Sequence, residues 1–353
     1  MNLRSSLSRT PPIGISLDRR RLTLAQPGTT GTAARTAALA CPHEPWDDHA
    51  WATLASDLAS LIARRGFAGR DIAIALPAWA QSSLAVQLPP RASGAPLDAI
   101  AAGQLAEAVN TQQDEIEAAW WETPAPAHGS RRPAGATGPG PMHAIVSGGR
   151  RATFEAIGHA CADAGLHACA LVPRSWCLAA GAAASGPGPD AVLEAGFHAA
   201  LLTIFRNGEV LFERSLPEHG LEHVIERLSD KLGIEDDAAA LLTTDEHDAA
   251  AGPLAAHPAT RALLDWAASI IESSTAALAD EVAASLDYFG STVGLSANAV
   301  RVIAPGHAVH GALTRHLSRL NCRPVVERMP TSAVALGAAL AALGTPQVGR
   351  AAA

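Results

Sequence analysis

The stretch that decides the fold lies near the amino end: PPIGISLDRRRLTLAQPG, Pro11 to Gly28. Ile13, Ile15 and Leu17 alternate with small or polar residues, Leu22 and Leu24 do the same, and between the two runs stands Asp18-Arg19-Arg20-Arg21. Period-two alternation on both sides of a short polar block predicts two strands folded back on each other. Many phosphate-binding folds open on such a hairpin, with small residues at the turn so that backbone N–H groups reach the ligand. Here three arginines fill the turn. They read as a solvated hairpin tip, or as guanidinium groups that hold an anion without the usual backbone cradle.

Outward from the hairpin, 353 residues with 48% hydrophobic content suffice for two or three domains with a large core. Aromatics are only 4% and Lys231 is the single lysine, so Ala, Leu, Val and Ile must build the interior. A net charge of −8 argues against broad nucleic-acid binding, which needs a dense basic surface. The five cysteines form an odd set without a C-x-x-C pair, which signals neither a disulfide framework nor structural zinc and fits a reduced, cytosolic compartment. No secretion signal and no apolar run of membrane-spanning length is present, so any membrane role is expected to come through a partner.

Further along, PGTTGTAARTAA reads as a loop, and Trp51, Leu54, Leu58, Leu61 and Ile62 mark a helix that stops at Gly66 and Gly69. DIAIALPAWA and SSLAVQLPP read as strands, Leu97 to Val109 as a helix, and EIEAAWWET and HAIVSGG as two more strands. The Pro/Gly-rich PAPAHGSRRPAGATGPGP between those two is a loop, and GAAASGPGPD a hinge. A helix from RATFEAIGHACADAGL leads into HACALVPRSW, read as a strand that closes at Ser175-Trp176-Cys177. Strands at Val192–Ala195, Ala199–Phe205 and Val210–Leu216 follow, the last two joined by Asn207-Gly208. LEHVIERLSDKLGI is helical, the acidic EDDAAALLTTDEHDAAAGP a surface segment, and a long helix begins near Pro258 with Leu264, Ile271, Leu278, Val282 and Phe289 on one side. AVRVIAPGHAVHG reads as strand and turn, ALTRHLSRLN as helix, RPVVE as strand and SAVALGAALAALG as a last helix. Two lobes that each begin with hairpin strands suggest a duplication. His43, Asp47, Asp48 and His49 cluster in HEPWDDH but read as a helix cap, and no spacing signals a metal site or a nucleophilic enzyme.

This order of pieces, over nearly the whole chain, resembles the actin-like ATPase superfamily and more closely the type IV pilus assembly protein PilM family, related to FtsA. The fold implied is an α/β, actin-like two-lobed (ribonuclease H-like) architecture with an inserted strand-helix-strand-strand subdomain. SSLAVQLPP, the Leu97–Val109 helix, EIEAAWWET and HAIVSGG fill that insertion in order, and AASLDYFGS is similar to the family's late-helix signature. The resemblance places the first lobe in residues 11–79 and 148–188, the insertion in 80–147, the second lobe in 189–330, and a helix returning to the first lobe in 331–344.

In active members of that superfamily the first hairpin carries Asp-x-Gly and a hydroxyl residue for magnesium and phosphate. The matching positions here are Ser16, Leu17 and Asp18, followed by Arg19 to Arg21. The second such motif becomes Glu194-Ala195-Gly196-Phe197-His198-Ala199, and the glycine-rich adenosine turn becomes Ala304-Pro305-Gly306-His307, with Gly311 further on. Asp18, Arg19, Glu194, Gly196, Gly306 and Gly311 thus mark a vestigial nucleotide pocket. No cofactor is expected there, ATP with magnesium being the alternative, and ATP hydrolysis is not expected. Trp120 and Trp121, adjacent in a predicted strand, should face opposite ways, one to the core and one to a groove. With Leu105 and Val109 they are the expected partner site, since in the family the insertion helps hold the cytoplasmic tail of a PilN-like membrane protein. The resemblance implies a cytoplasmic scaffold, peripheral to the inner membrane, of a pilus, secretion or competence machine. Self-association stays open, as do two other readings: an ATP-binding switch with a modified site, and a type II secretion cytoplasmic module.

Overall fold

The computed structural model describes residues 10–18, 21–28, 33–40, 48–125, 140–182, 188–243, 258–304, 306–319, 325–329 and 332–344. Arg19 and Arg20, the His43 and Asp47 cluster, most of the Pro/Gly-rich loop and of the hinge, and Pro305 lie outside the described residues. The chain forms two compact units, one of Met1–Thr123, Gly138–Ala183 and Ser332–Ala353, the other of Pro124–Thr137 and Ala184–Thr331.

The first unit is built on strands β1 (Ile13–Asp18), β2 (Arg21–Gln26), β3 (Arg35–Ala40), β4 (Asp71–Ala75) and β8 (His167–Val172), in the order β3-β2-β1-β4-β8. The opening hairpin pairs antiparallel with Asp18 opposite Arg21, and β4 and β8 run parallel to β1. β3 lies where a loop is expected: its alanines carry little strand propensity, and pairing along the whole of β2 supplies the order instead. Ile13, Ile15 and Leu17 point to one face, where they pack with Leu54, Leu58 and Ile62 of α1 (Asp48–Arg65) and with Ile157 and Cys161 of α3 (Arg151–Asp163). The alternation of the opening hairpin is the cause, because successive strand residues face opposite sides.

The other face of this sheet takes α9 (Ser332–Gly344), which also packs on α4 (Arg174–Gly181). Here glycine is required. A Cβ on Gly14 of β1 would sit 1.7 Å from the Ala335 carbonyl oxygen, and one on Gly337 would sit 1.8 Å from that of Cys177. Backbone thus meets backbone across both contacts. α4 itself corrects the expectation that Ser175-Trp176-Cys177 close a strand. Pro173, with φ −51 and ψ 137, ends the strand and stands at the N-cap of a helix.

Between β4 and α3 an insertion forms a separate sheet of β5 (Ser82–Leu88), β6 (Ile116–Glu122) and β7 (Met142–Arg150), ordered β5-β7-β6 and antiparallel throughout. Helix α2 (Leu97–Ala108) covers one of its faces.

The second unit repeats the first sheet. Strands β9 (Asp190–Ala195), β10 (Ala200–Arg206), β11 (Glu209–Leu216), β12 (Ala299–Ile303) and β13 (Val325–Arg328) lie in the order β11-β10-β9-β12-β13, with the same parallel and antiparallel senses. Asn207 and Gly208 both take positive φ, 55° and 81°, as the tight hairpin between β10 and β11 demands. Ala191, Leu193 and Ala195 share a core with α5 (Leu221–Leu232), α6 (Asp236–Leu241), α7 (Pro258–Val293) and α8 (His307–Leu317). Two of these differ from the sequence expectation. The acidic surface segment begins as α6, and the residues expected as a turn after β12 are the first turn of α8, whose Val309 is buried while His307 is exposed.

Candidate functional site

Three places carry the predicted site residues. The first is the carboxyl end of the first sheet. Ser16 is 6% exposed, facing away from the α1 side, and Asp18 is half-buried at the strand end. Arg21, the one arginine of the block among the described residues, is exposed. Beneath the hairpin lies a residue that sequence reasoning missed: Arg174, 6% exposed, whose Nη1 donates to the Leu17 carbonyl at 3.4 Å. Its backbone N–H is held by Gln81 Oε1 at 2.9 Å. The signal available was Pro173-Arg174 directly after a strand, where a new helix opens.

The second place is the carboxyl end of the second sheet. Register sets Glu194 beside Ile303, so Glu194, Gly196 and Gly306 do fall at one end of that sheet, with Gly306 capping α8. Gly311 lies inside α8, where a side chain would meet only ordinary contact. Glu194 is buried at 5% exposure. The turn after it is closed by aromatic packing: Phe197 is buried, and the His198 ring meets it edge to face at 4.8 Å. His198 Nδ1 in turn lies 3.0 Å from Glu222 Oε2.

The amino end of α5 faces this same turn. Leu221 N–H donates to the Gly196 carbonyl at 3.0 Å and Glu222 N–H to the Phe197 carbonyl at 2.9 Å. Gly220 permits the approach, since a Cβ there would be 2.5 Å from the Phe197 carbonyl oxygen. Free N–H groups at a helix start are what would bind a phosphate, and these two already have partners. At the second sheet the first two N–H groups of α5 are therefore not available to a nucleotide phosphate. Among the described residues no group of three His, Cys, Asp or Glu is placed to hold a metal ion.

The third place is the inserted sheet, and here an expectation is corrected. Trp120 and Trp121 do face opposite ways, yet both are buried, at 7% and 8% exposure. Trp120 packs with Leu105 and Val109 under α2; its indole N–H donates to Asp98 at 2.7 Å and Arg91 lies over the ring at 5.0 Å. Leu105 is 1% exposed, so Trp120 and Leu105 are core and Val109 packs against that core. Strand alternation was legible; that helices cover both faces was not.

Trp121 looks to the other face, where it meets Trp176 of α4 edge to face at 5.5 Å. Neither indole N–H has a hydrogen-bond partner among the described residues, although both atoms are buried. Buried indole donors ordinarily find an acceptor. Around this seam Gln81 donates to Ser83, and Ser83 to Ser147 on β7 at 2.9 Å, which ties the inserted sheet to α4 through the Gln81–Arg174 bond. The seam is a polar-rimmed aromatic contact with two donors unsatisfied.

No family model and no curated protein matches this chain. Solved structures do. A PilM-PilN type IV pilus biogenesis complex is similar over 96% of this chain and 100% of its own, at 18% identity and a TM-score of 0.68. The ethanolamine utilization protein EutJ from Carboxydothermus hydrogenoformans is similar over 93% and 89%, at 16% identity and a TM-score of 0.53. A ROK family glucokinase from Streptomyces griseus, in complex with glucose and AMPPNP, is similar over 93% and 98%, at 11% identity and a TM-score of 0.50. At these identities the likeness is one of fold. The chain has the actin-like fold, with a sheet of the same strand order in each unit, and over 96% of its length that fold is similar to the one in the PilM-PilN complex.

Proposed function

We propose that this protein is an actin-like adaptor of a type IV pilus or related secretion machine. In this reading it holds the cytoplasmic tail of a PilN-like inner-membrane protein and does so without hydrolysing ATP. The observation that carries the reading is the seam between β6 and α4. The indole N–H groups of Trp121 and Trp176 are buried without acceptors beside a hydroxyl-bearing strand, so an extended tail whose main-chain carbonyls accept from them must first part the seam. The full-length likeness to a PilM-PilN complex supports the assignment of the partner. Among the described residues no helix is long and apolar enough to cross a membrane.

The filled nucleotide turns support the second half of the reading. Phe197 and His198 occupy the space, and α5 already uses its first N–H groups. Binding energy for an adaptor then comes from the tail rather than from a nucleotide-driven closure.

The test is binding of a synthetic peptide, with the sequence of the cytoplasmic tail of a PilN-like protein, to the purified full chain. Trp121→Phe keeps a ring and removes the donor; about fivefold weaker binding with unchanged thermal unfolding is expected. Equal affinity in wild type and Trp121→Phe, together with equal affinity in Trp176→Phe, would remove the seam as the tail site.

A further inference from the structure

The solvent face of α7 takes no part in the seam, and among the described residues its one ring contact with the fold is that of Tyr288 with Phe212, at 6.2 Å. Trp266 and Tyr288 stand on it 58% and 59% exposed, six turns and about 33 Å apart. The other described tryptophans are buried or half-buried, and Tyr288 is the only tyrosine in the chain. Between them the exposed positions are serines, alanines and the carboxylates Asp280 and Asp287, with Asp265 beside Trp266. None of these three aspartates makes an ion pair among the described residues.

The flanking basic groups are committed elsewhere. Arg214 of β11 lies 2.8 Å from Glu281 and also donates to Ser285, while Arg315 and His316 of α8 both reach Glu272. The one basic residue of α7 is Arg261, near its start. At the far end a cavity of about 230 Å³ is lined by Asp287, Ser291 and Ser296 with apolar Leu286, Ala297 and Val300. It adjoins the last turn of α7, where the helix dipole adds partial negative charge. Such a socket selects an ammonium or guanidinium head with an apolar stem.

We propose that this face is a docking surface for a basic, amphipathic segment of a partner protein. Trp266 and Tyr288 serve as apolar anchors at its two ends, and the Asp287 cavity seats a lysine or arginine. Charge complementarity names the occupant: the strip carries three uncompensated carboxylates and no basic group between its aromatics. A strip one helix wide is small for an interface, so the contact is of the transient class.

The experiment titrates the full chain, by fluorescence anisotropy, with a labelled amphipathic lysine-leucine peptide of about 22 residues, long enough to match the strip. The same peptide with glutamate for lysine is the control. Binding of the basic peptide alone is expected, weakened about tenfold by Asp280→Lys with Asp287→Lys and about fivefold by Trp266→Ser or Tyr288→Ser. Bound peptide should also slow nitration of Tyr288. These positions are exposed, and unchanged thermal unfolding of each variant keeps a folding defect apart from a binding one. Binding untouched by the four substitutions overturns the proposal, as does equal binding of the acidic peptide or none of the basic one. A concentration-dependent dimer abolished by Trp266→Ser would assign the face to a second copy and overturn it too.

Discussion

The two large sheets share one strand order and one set of strand senses, yet their first turns are filled in different ways. Asp18 ends β1 opposite Arg21 of β2, and the buried Arg174 bonds the Leu17 carbonyl beside that end. Between β9 and β10 it turns through Gly196 to Ala199, closed by Phe197 and His198 and fastened to the first turn of α5. The sequence of the first turn is charged, and the second is packed with aromatic rings. The strand order depends on residues that face the core, Ile13, Ile15 and Leu17 in one sheet and Ala191, Leu193 and Ala195 in the other. Ligand chemistry depends on the turn residues, so it can be lost while the fold stays.

The comparison can be broken most severely in the first unit. Gly337→Val would push a side chain into the Cys177 carbonyl, and neither backbone can yield; a loss of more than about 4 kcal/mol is expected, seen as insoluble or unfolded protein. Trp120→Ala empties the core of the inserted sheet and strands Asp98, costing about 3–5 kcal/mol in denaturant unfolding. In the second unit Phe197→Ala is expected to cost about 3 kcal/mol by the same measure without creating nucleotide binding, because the α5 N–H groups stay engaged.

Restoring the first turn alone sharpens the contrast. Ser16→Asp with Asp18→Gly is expected to release no phosphate from ATP above background, since the second turn is unaltered. The smallest effect concerns Cys161, whose thiol burial pushes up to about 11. It should resist alkylation at pH 8 in the native protein and react on unfolding. The sign follows: the folded state favours the neutral thiol, so this contribution is intact below pH 9 and declines as pH rises toward 11.

Much of the fold was legible in sequence because alternation and helical spacing report burial directly. The opening hairpin, the Asn207-Gly208 turn and the α7 stripe of Ile271, Leu278, Val282 and Phe289 carry the signal in their own residues. β3 did not, because an alanine-rich strand takes its order from its neighbour. α4 did not, because an eight-residue helix has too few turns to show a period. At the site, the loss of small residues from the turns was readable one position at a time. That α5 would close over the second turn, and that Trp121 would meet Trp176, are long-range contacts without a local mark.

We propose that neither turn serves nucleotide chemistry. Titration calorimetry of the purified chain with ATP and magnesium tests it most directly. The account predicts no binding heat up to millimolar nucleotide. Saturable binding at micromolar concentration would contradict it, and would make the arginine turn a rebuilt phosphate site.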